Sequence, residues 1–316
     1  MPKIPPLIRD CVIYLYRTAA DARDGIRSGA SGFLVGVRSE YDPTLLYPYA
    51  VTCRHVIEGA DALTIRINTA SGSIDPIETT IGEWQLSPTN DIAIRPMQIQ
   101  RGTHLIRVVP QEMFLTEALI DKHAIGIGDD VFLVGRLIDQ AGKQRNTPSA
   151  RFGNIALLPC EKVENSFLKR DVEAFLCEVK SIGGFSGSPV FVFVPSFSQR
   201  FDGTPLDSKP IGPFLLGVDS GHCNVLQHQG KPKPNPDRNT GIATVAPAWE
   251  LSSMLDKDRP RRAKLDQEMR RRRDESATEL DSEAWPESDH DDPTQSALSA
   301  IERAIGERLV PPKKPR

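Results

Sequence analysis

The residue best placed for chemistry is Ser186. It lies in residues 183–190 (GGFSGSPV), where glycines flank the serine and an apolar strand is predicted to follow. Nucleophilic catalysis needs such a setting, because the hydroxyl must project and backbone N–H groups must point at a developing oxyanion. Glycine permits the tight turn since it has no Cβ. An ordinary glycine–serine turn would use the same residue types, so this motif alone leaves both interpretations open.

A serine nucleophile needs a general base, and His55 directly follows the apolar segment 51–54 (VTCR). Asp91 stands at the start of another apolar segment, residues 92–94. An isolated histidine is more often structural, and an isolated aspartate more often belongs to a turn. Together with Ser186, however, they complete the set of side chains that a serine hydrolase uses.

The order of these residues along the chain separates three protein classes. His55, Asp91 and Ser186 follow the order of the chymotrypsin-like proteases, whereas subtilisins run Asp, His, Ser and α/β-hydrolases run Ser, Asp, His. The α/β-hydrolase motif G-x-S-x-G also requires a glycine where this chain has Ser188. Both observations disfavour the alternatives.

Further motifs occur in the same order and cover about residues 31–249. They are residues 29–35 (GASGFLV), 52–59 (TCRHVIEG), 90–93 (NDIA), 128–135 (GDDVFLVG), 184–189 (GFSGSP), 215–218 (LLGV) and 241–247 (GIATVAP). In these motifs the chain resembles the trypsin/chymotrypsin-like serine proteases, most closely the bacterial Deg/HtrA-type branch, but no segment resembles a PDZ domain. The resemblance implies an all-β, chymotrypsin-like fold of two six-stranded antiparallel β-barrels.

The resemblance also implies a mechanism, that of a serine endopeptidase with an acyl-enzyme intermediate. Ser186 would attack the scissile carbonyl, His55 would accept and return the proton, and Asp91 would orient the imidazole. The backbone N–H groups of Gly184 and Ser186 would form the oxyanion hole. Phe185 stands where digestive relatives carry an aspartate, and no I-V-G-G activation segment is present, so activation by that zymogen cleavage is not expected.

The substrate pocket follows from a looser part of the resemblance. Lys180, six positions before the nucleophile, would lie near the pocket floor and favour an acidic side chain before the scissile bond. A difference in loop length would instead point Lys180 at solvent. Ser220 and Gly221 would form the pocket wall, and residues 217–221 would pair with the substrate backbone.

The rest of the sequence agrees with an all-β catalytic part. Short apolar segments broken by Gly, Pro, Asn, Asp and Ser are typical of β-barrels. The candidate strands are residues 12–16, 32–37, 50–53, 63–67, 92–94, 131–134, 175–179, 189–194, 214–218 and 241–245. We expect a peptidase domain over residues 10–256, with the first barrel at about 10–115 and the second at about 125–250.

Residues 257–316 form a charged extension, predicted to be partly helical or disordered. Residues 257–273 hold nine Lys/Arg against three Asp/Glu, and residues 274–292 hold nine Asp/Glu and no Lys/Arg. Residues 295–309 have the apolar spacing of a short helix. Since the basic and acidic blocks compensate each other, nucleic acid is not the expected partner. A regulatory protein that binds this extension fits better.

Composition limits the remaining possibilities. The 316 residues carry a net charge of −3 and five cysteines, an odd number without any C-x-x-C pair. This disfavours a disulfide framework or a zinc finger and favours a reducing compartment. The pair His222–Cys223 lacks a second ligand pair, so no metal and no cofactor is expected. The N-terminal apolar segment 11–16 is too short for a signal sequence or a membrane span, which predicts a cytoplasmic protein.

Two other functions stay open at this point. The first is a catalytically silent relative that uses the fold as a binding module. The complete set of His55, Asp91 and Ser186 argues against it, since a silent form commonly lacks one member. The second is an adaptor that binds nucleic acid through the basic block around residues 270–273.

Overall fold

The computed structural model describes residues 3–25, 29–60, 62–100, 102–105, 107–140, 142–179, 181, 183–197, 208–224 and 239–282. Two β-rich lobes follow one another along the chain, and helices follow the second lobe. The predicted helix at 295–309 and the predicted pocket residue Lys180 lie outside the described residues, as do parts of two segments that the sequence predicts to be long loops, residues 195–213 and 227–240.

The first lobe is one curled sheet. Its strands are β1 (Val12–Tyr16), β2 (Ala30–Arg38), β3 (Leu46–Thr52), β4 (Ala62–Asn68), β5 (Ile74–Thr80), β6 (Gln85–Leu86), β7 (Ala93–Pro96) and β8 (Val109–Pro110). Their order is β5-β4-β1-β2-β3-β7-β6, with β8 parallel to β2 and the other pairs antiparallel. Among the described residues β5 does not pair with β6, so this lobe is a curled half-barrel.

The second lobe is a closed six-stranded barrel with the order β10-β13-β16-β15-β14-β9. The lobe contains β9 (Asp130–Gly135), β10 (Ser149–Leu157), β11 (Val163–Asn165), β12 (Arg170–Val172), β13 (Phe175–Glu178), β14 (Pro189–Val194), β15 (Ile211–Asn224) and β16 (Asn239–Pro247). The β11–β12 pair forms a separate hairpin between β10 and β13. β14 has the sequence PVFVFV and is buried throughout, as expected for β-branched and aromatic residues in a barrel wall.

Both lobes share one apolar core. One cluster of buried side chains contains Phe33 and Val51 from the first lobe together with Phe132, Phe191 and Leu215 from the second. A second cluster lies mainly inside the second lobe, and a third lies inside the first lobe. The predicted all-β, double-barrel, chymotrypsin-like architecture is confirmed, with an incompletely closed first lobe as the difference in detail.

The helices are short except for the last one. They are α1 (Pro6–Arg9), α2 (Ala19–Asp24), α3 (Arg54–Glu58), α4 (Glu117–His123), α5 (Ala248–Lys257) and α6 (Arg259–Ser282). In α5 the buried residues Ala248, Leu251, Met254 and Leu255 recur at helical spacing, which explains why this segment packs as a helix. No helix of the described part is long and apolar enough to cross a membrane.

The chain divides into two compact units, residues 1–266 and residues 267–316. The first contains both lobes, α5 and the beginning of α6. The second is helical as far as Ser282 and carries an ion pair between Arg271 and Glu275 at 3.3 Å. The boundary that composition predicts at 256/257 therefore falls inside the first compact unit. As a functional boundary it stays a prediction.

Candidate active site

His55 and Asp91 meet in the first lobe. β3 ends at Thr52, and the short helix α3 that follows carries His55. The Asp91 carboxylate is fully buried and contacts the histidine twice: Oδ2 lies 2.7 Å from Nδ1, and Oδ1 accepts a 2.9 Å bond from the His55 backbone N–H. The His55 side chain retains 18% exposure. A carboxylate bonded to Nδ1 selects the tautomer whose Nε2 can accept a proton.

Asn90 holds Asp91 in place. Its side-chain Oδ1 accepts a bond from the Asp91 backbone N–H at 2.9 Å, and its Nδ2 donates to the carbonyl of Glu173 at 2.7 Å. The Asn90 backbone N–H in turn donates to Ser87 Oγ at 3.0 Å. Because Glu173 precedes β13 of the second lobe, Asn90 ties the histidine–aspartate pair to the other half of the fold.

The Ser186 loop is tied to the first lobe by Ser31 of β2. The Ser31 backbone N–H donates to the Ser186 carbonyl at 3.0 Å, and its Oγ donates to the Gly184 carbonyl at 2.7 Å. The same Oγ accepts a bond from the Arg136 backbone N–H at 2.8 Å, and Thr52 Oγ1 donates to the Ser31 carbonyl at 2.8 Å. One fully buried serine thus connects β3, the residue that follows β9 and the loop that carries Ser186.

Two glycines of this loop are required by its geometry. Gly184 has a φ of 95° and Gly187 a φ of 86°, in the region that side-chain-bearing residues rarely adopt. A Cβ on Gly187 would lie 2.2 Å from the Ser31 carbonyl oxygen and 2.4 Å from Thr52 Oγ1. The glycines recognised in the sequence are therefore needed both for backbone conformation and for the close approach of β2.

Among the described residues, the backbone N–H groups of Gly183, Gly184, Phe185 and Ser186 have no hydrogen-bond partner. In contrast, the N–H of Gly187 donates to the Asp219 carbonyl at 2.8 Å and that of Ser188 to the Phe185 carbonyl at 2.8 Å. The donors that the sequence predicts for an oxyanion hole, Gly184 and Ser186, are two of these four groups. Their use in catalysis remains a prediction.

Ser186 and His55 are not joined by a hydrogen bond within the described part of the chain. Instead, the imidazole of His55 stacks on the ring of Phe167, with 3.8 Å between ring centroids and 5° between ring planes. Phe167 lies in the turn of the β11–β12 hairpin. Catalytic hydrogen bonds are often longer or misaligned without substrate, so this geometry leaves the triad hypothesis standing.

Ser220 and Gly221, the predicted pocket wall, lie on β15 close to the cleft. Ser220 is buried, and its Oγ accepts a 3.0 Å bond from Asn165 Nδ2. Gly221 has a φ of 117°, and a Cβ there would lie 2.7 Å from Phe167 Cε2. With Lys180 outside the described residues, the charge preference predicted for the pocket stays a prediction.

Asp219 is a buried carboxylic acid next to this wall. Its Oδ2 accepts a 2.7 Å bond from Ser181 Oγ, and its Oδ1 a 3.3 Å bond from the Gly221 backbone N–H. The pKa of Asp219 is raised to about 7, chiefly by burial and to a smaller extent by the neighbouring Asp91 carboxylate, while the two hydrogen bonds act in the opposite direction. Asp219 therefore changes charge near neutral pH while fully enclosed.

Of the described residues, one group brings three potential metal ligands together: Cys53, His55 and Asp91, whose ligand atoms lie within 4.8 Å of one another. The site is not suited to a cation, because Nδ1 and Oδ2 already bond to each other. Burial, followed by the charges of Asp91 and Asp219, raises the pKa of the Cys53 thiol well above its usual value. Cys53 is therefore a protonated thiol that donates to the Asp219 carbonyl at 3.1 Å.

The roles of four residues in this region were not predicted from the sequence: Ser31, Asn90, Phe167 and Asp219. Ser31 was part of a recognised motif, but its bridging role depends on strands far apart in sequence. Asp219 is a charged residue within the apolar run of β15, and this feature of the sequence could have identified it as a buried carboxyl group. Asn90 adjoins a predicted catalytic residue. For Phe167 the sequence carries no signal, since its position depends on how the β11–β12 hairpin folds over the cleft.

No protein-family model and no curated protein matches the chain. Solved structures do resemble it. The MamO protease domain from Magnetospirillum magneticum (apo form) shows 16% identity and a TM-score of 0.46, over 78% of this chain and 97% of that one. An inactive-form serine-to-alanine variant of Rv3671c from M. tuberculosis shows 16% identity and a TM-score of 0.41, over 81% and 94%.

The inactive form of the Rv3671c protease shows 17% identity and a TM-score of 0.40, over 79% of this chain and 89% of that one. Similarity this remote says nothing about activity. The strand order of the second lobe, the curled sheet of the first and their shared core are nevertheless those of the double-barrel architecture. The topology of the chain is that of a chymotrypsin-like double barrel.

Proposed function

We propose that this protein is a serine endopeptidase that cleaves peptide bonds in protein or peptide substrates. The observation that carries the proposal is the two-point contact of the buried Asp91 carboxylate with His55, at 2.7 Å to Nδ1 and 2.9 Å from the backbone N–H. A buried aspartate that fixes an imidazole in this way is the arrangement by which a serine protease prepares its general base.

In this reaction Ser186 Oγ attacks the carbonyl carbon of the scissile bond, and its proton passes to His55 Nε2. The carbonyl oxygen becomes an oxyanion that accepts bonds from the N–H groups of Gly184 and Ser186. The imidazolium, stabilised by Asp91, then protonates the departing amine and leaves an acyl-enzyme on Ser186. Water, activated by His55, releases the acid and restores the serine.

The oxyanion donors are expected to contribute strongly, because losing one donor from such a site costs about 3–4 kcal/mol of transition-state stabilisation. In this chain the hydrogen bonds from Ser31 support the loop that carries them. Within the pocket we propose that Lys180 favours an acidic side chain and that Ser220 and Gly221 form its wall. We further propose residues 10–256 as the peptidase domain, acting in the cytoplasm, with the charged extension as a site for a regulatory protein.

A catalytically silent binding module is the second candidate. It is supported by the stacking of Phe167 on His55 and by the lack of a described hydrogen bond between Ser186 and the histidine. In such a protein the cleft would hold a peptide without cleaving it. The two candidate functions differ in whether the hydroxyl of Ser186 is reactive.

Labelling with a small fluorophosphonate probe separates them. Attachment at Ser186 that is lost in Ser186→Ala and strongly slowed in Asp91→Asn supports the endopeptidase. Ser188→Ala is the matched control, because Ser188 belongs to the same loop and its buried Oγ has no hydrogen-bond partner among the described residues. That variant should be labelled like the wild type. Absence of labelling in the folded wild type, together with peptide binding, would favour the silent module.

A further inference from the structure

Phe167 covers one face of His55. Its ring lies parallel to the imidazole, with 3.8 Å between the ring centroids. Yet Phe167 is 48% exposed, which is unusual for a phenylalanine that belongs to a packed core. The ring rests against the predicted general base from outside, at the surface of the cleft.

The hairpin turn that carries Phe167 is firmly held. The side-chain Oδ1 of Asn165 accepts bonds from the backbone N–H groups of Phe167 at 3.0 Å and Leu168 at 2.9 Å. Its Nδ2 donates to Ser220 Oγ at 3.0 Å, and Asn165 is buried. One amide thus shapes the turn and fastens it to β15. The position of the phenylalanine is therefore built into the fold.

Gly221 gives the ring its room. A Cβ at this position would lie 2.7 Å from Phe167 Cε2, so any larger residue would push the ring away. Phe167 therefore touches both His55 and the part of β15 along which a substrate strand is proposed to pair. A peptide placed there meets the phenyl ring before it meets the imidazole face.

The alternation of side chains along an extended substrate indicates which substrate side chain the ring of Phe167 would exclude. Side chains of an extended peptide alternate between two sides. If the first residue on the acyl side of the scissile bond points into the predicted pocket, the second points the other way, toward the exposed face of His55. That face is the one that Phe167 occupies.

We propose that Phe167 is a specificity-determining residue, which fills the space against His55 and selects for substrates with glycine at the second position on the acyl side of the scissile bond. This inference rests on the proposed endopeptidase function. A larger side chain at that position must displace the phenyl ring from the imidazole. An aromatic contact of this kind shifts an equilibrium by about 2- to 12-fold, so the selectivity is expected to be roughly tenfold.

The test compares two libraries of acetylated tetrapeptides with a fluorogenic aminocoumarin on the cleaved amide. The libraries differ only in the second residue from that amide, which is glycine in one and leucine in the other. Wild-type protein should prefer the glycine library. Phe167→Ala should raise kcat/KM for the leucine library about tenfold relative to the glycine library, and Phe167→Leu should have a smaller effect.

Ile127→Ala is the matched control, because Ile127 is an exposed apolar residue of the same lobe, 66% accessible, that lies outside the β11–β12 hairpin. It should leave the glycine-to-leucine ratio unchanged. Each protein is also labelled with the small fluorophosphonate probe, which has no peptide side chain to meet Phe167. Labelling with an unchanged ratio in Phe167→Ala overturns the specificity proposal alone. Labelling in neither protein refutes the proposed function and the inference with it.

Discussion

Replacing Asp219 by asparagine is expected to change how stability depends on pH. The asparagine Oδ1 can keep the bond from the Gly221 backbone N–H, so the change removes a titrating proton with little change of shape. In the wild type burial raises the pKa of Asp219 to about 7, whereas the unfolded chain has a value of about 4. The folded protein therefore holds this proton more tightly than the unfolded chain does.

The sign of the effect follows from that difference. The stability that Asp219 provides is complete below about pH 4 and is lost as pH rises through about 7. One pKa unit corresponds to about 1.4 kcal/mol, so the whole change amounts to about 4 kcal/mol. Since Asp219 is fully buried, no solvent screening reduces this figure. As pH rises from about 4 to about 8, the free energy of unfolding of Asp219→Asn should consequently increase relative to that of the wild type by up to about 4 kcal/mol.

The assay is urea unfolding followed by tryptophan fluorescence at several pH values across this range. With an m-value of about 3 kcal/mol per M, the difference between the two midpoints should grow by about 1 M from acid to alkaline pH. Asp266→Asn serves as control. Burial alone would raise the pKa of Asp266, but hydrogen bonds led by those from Ser39 and Tyr47 outweigh it and lower the pKa. Its effect should be constant above about pH 5.

If the free energies of unfolding of Asp219→Asn and the wild type depended on pH in the same way, the reasoning would be refuted. Such a result would mean that Asp219 has the same proton affinity in the folded and unfolded chains, and therefore that its carboxyl group is solvated in solution. A difference that grows toward acid pH would reverse the sign and point to a carboxylate stabilised by an unrecognised cation.

Two further predictions concern the loop of Ser186. Gly187→Ala should destabilise the protein by about 3 kcal/mol and abolish probe labelling, because it combines a φ of 86° with a Cβ 2.2 Å from the Ser31 carbonyl oxygen. Gly72→Ala is the control, since Gly72 has a φ of 85° but open space around it. In thermal unfolding this variant should show only the penalty for the backbone conformation. Ser31→Ala should cost about 1–3 kcal/mol and slow fluorophosphonate labelling, since the Gly184 carbonyl loses its donor and the Arg136 N–H its acceptor. Labelling at the wild-type rate in Ser31→Ala would show that these bonds do not support the loop.

The fold class and the candidate catalytic residues could be predicted from local sequence patterns. Apolar segments of strand length between turn residues predicted the β-lobes, because alternating burial and turn chemistry are local properties. β10 was missed, since Ser, Arg, Gly and Asn interrupt the apolar residues of its sequence SARFGNIAL and only one of its residues is buried. The types and the order of His55, Asp91 and Ser186 were legible without coordinates, although their catalytic use still awaits the labelling experiment.

The surroundings of these residues could not be predicted from the sequence, because they depend on the packing of distant segments. Ser31 meets the Gly184 carbonyl across 153 positions of sequence, and Asn90 reaches Glu173 across 83. Such contacts depend on which strands become neighbours when the lobes share a core, and no local pattern encodes that. The raised pKa of Asp219 and the phenyl ring of Phe167 on His55 have the same origin, because burial and stacking are properties of the packed molecule. The sequence therefore identified the reacting groups, and packing between distant segments set their environment.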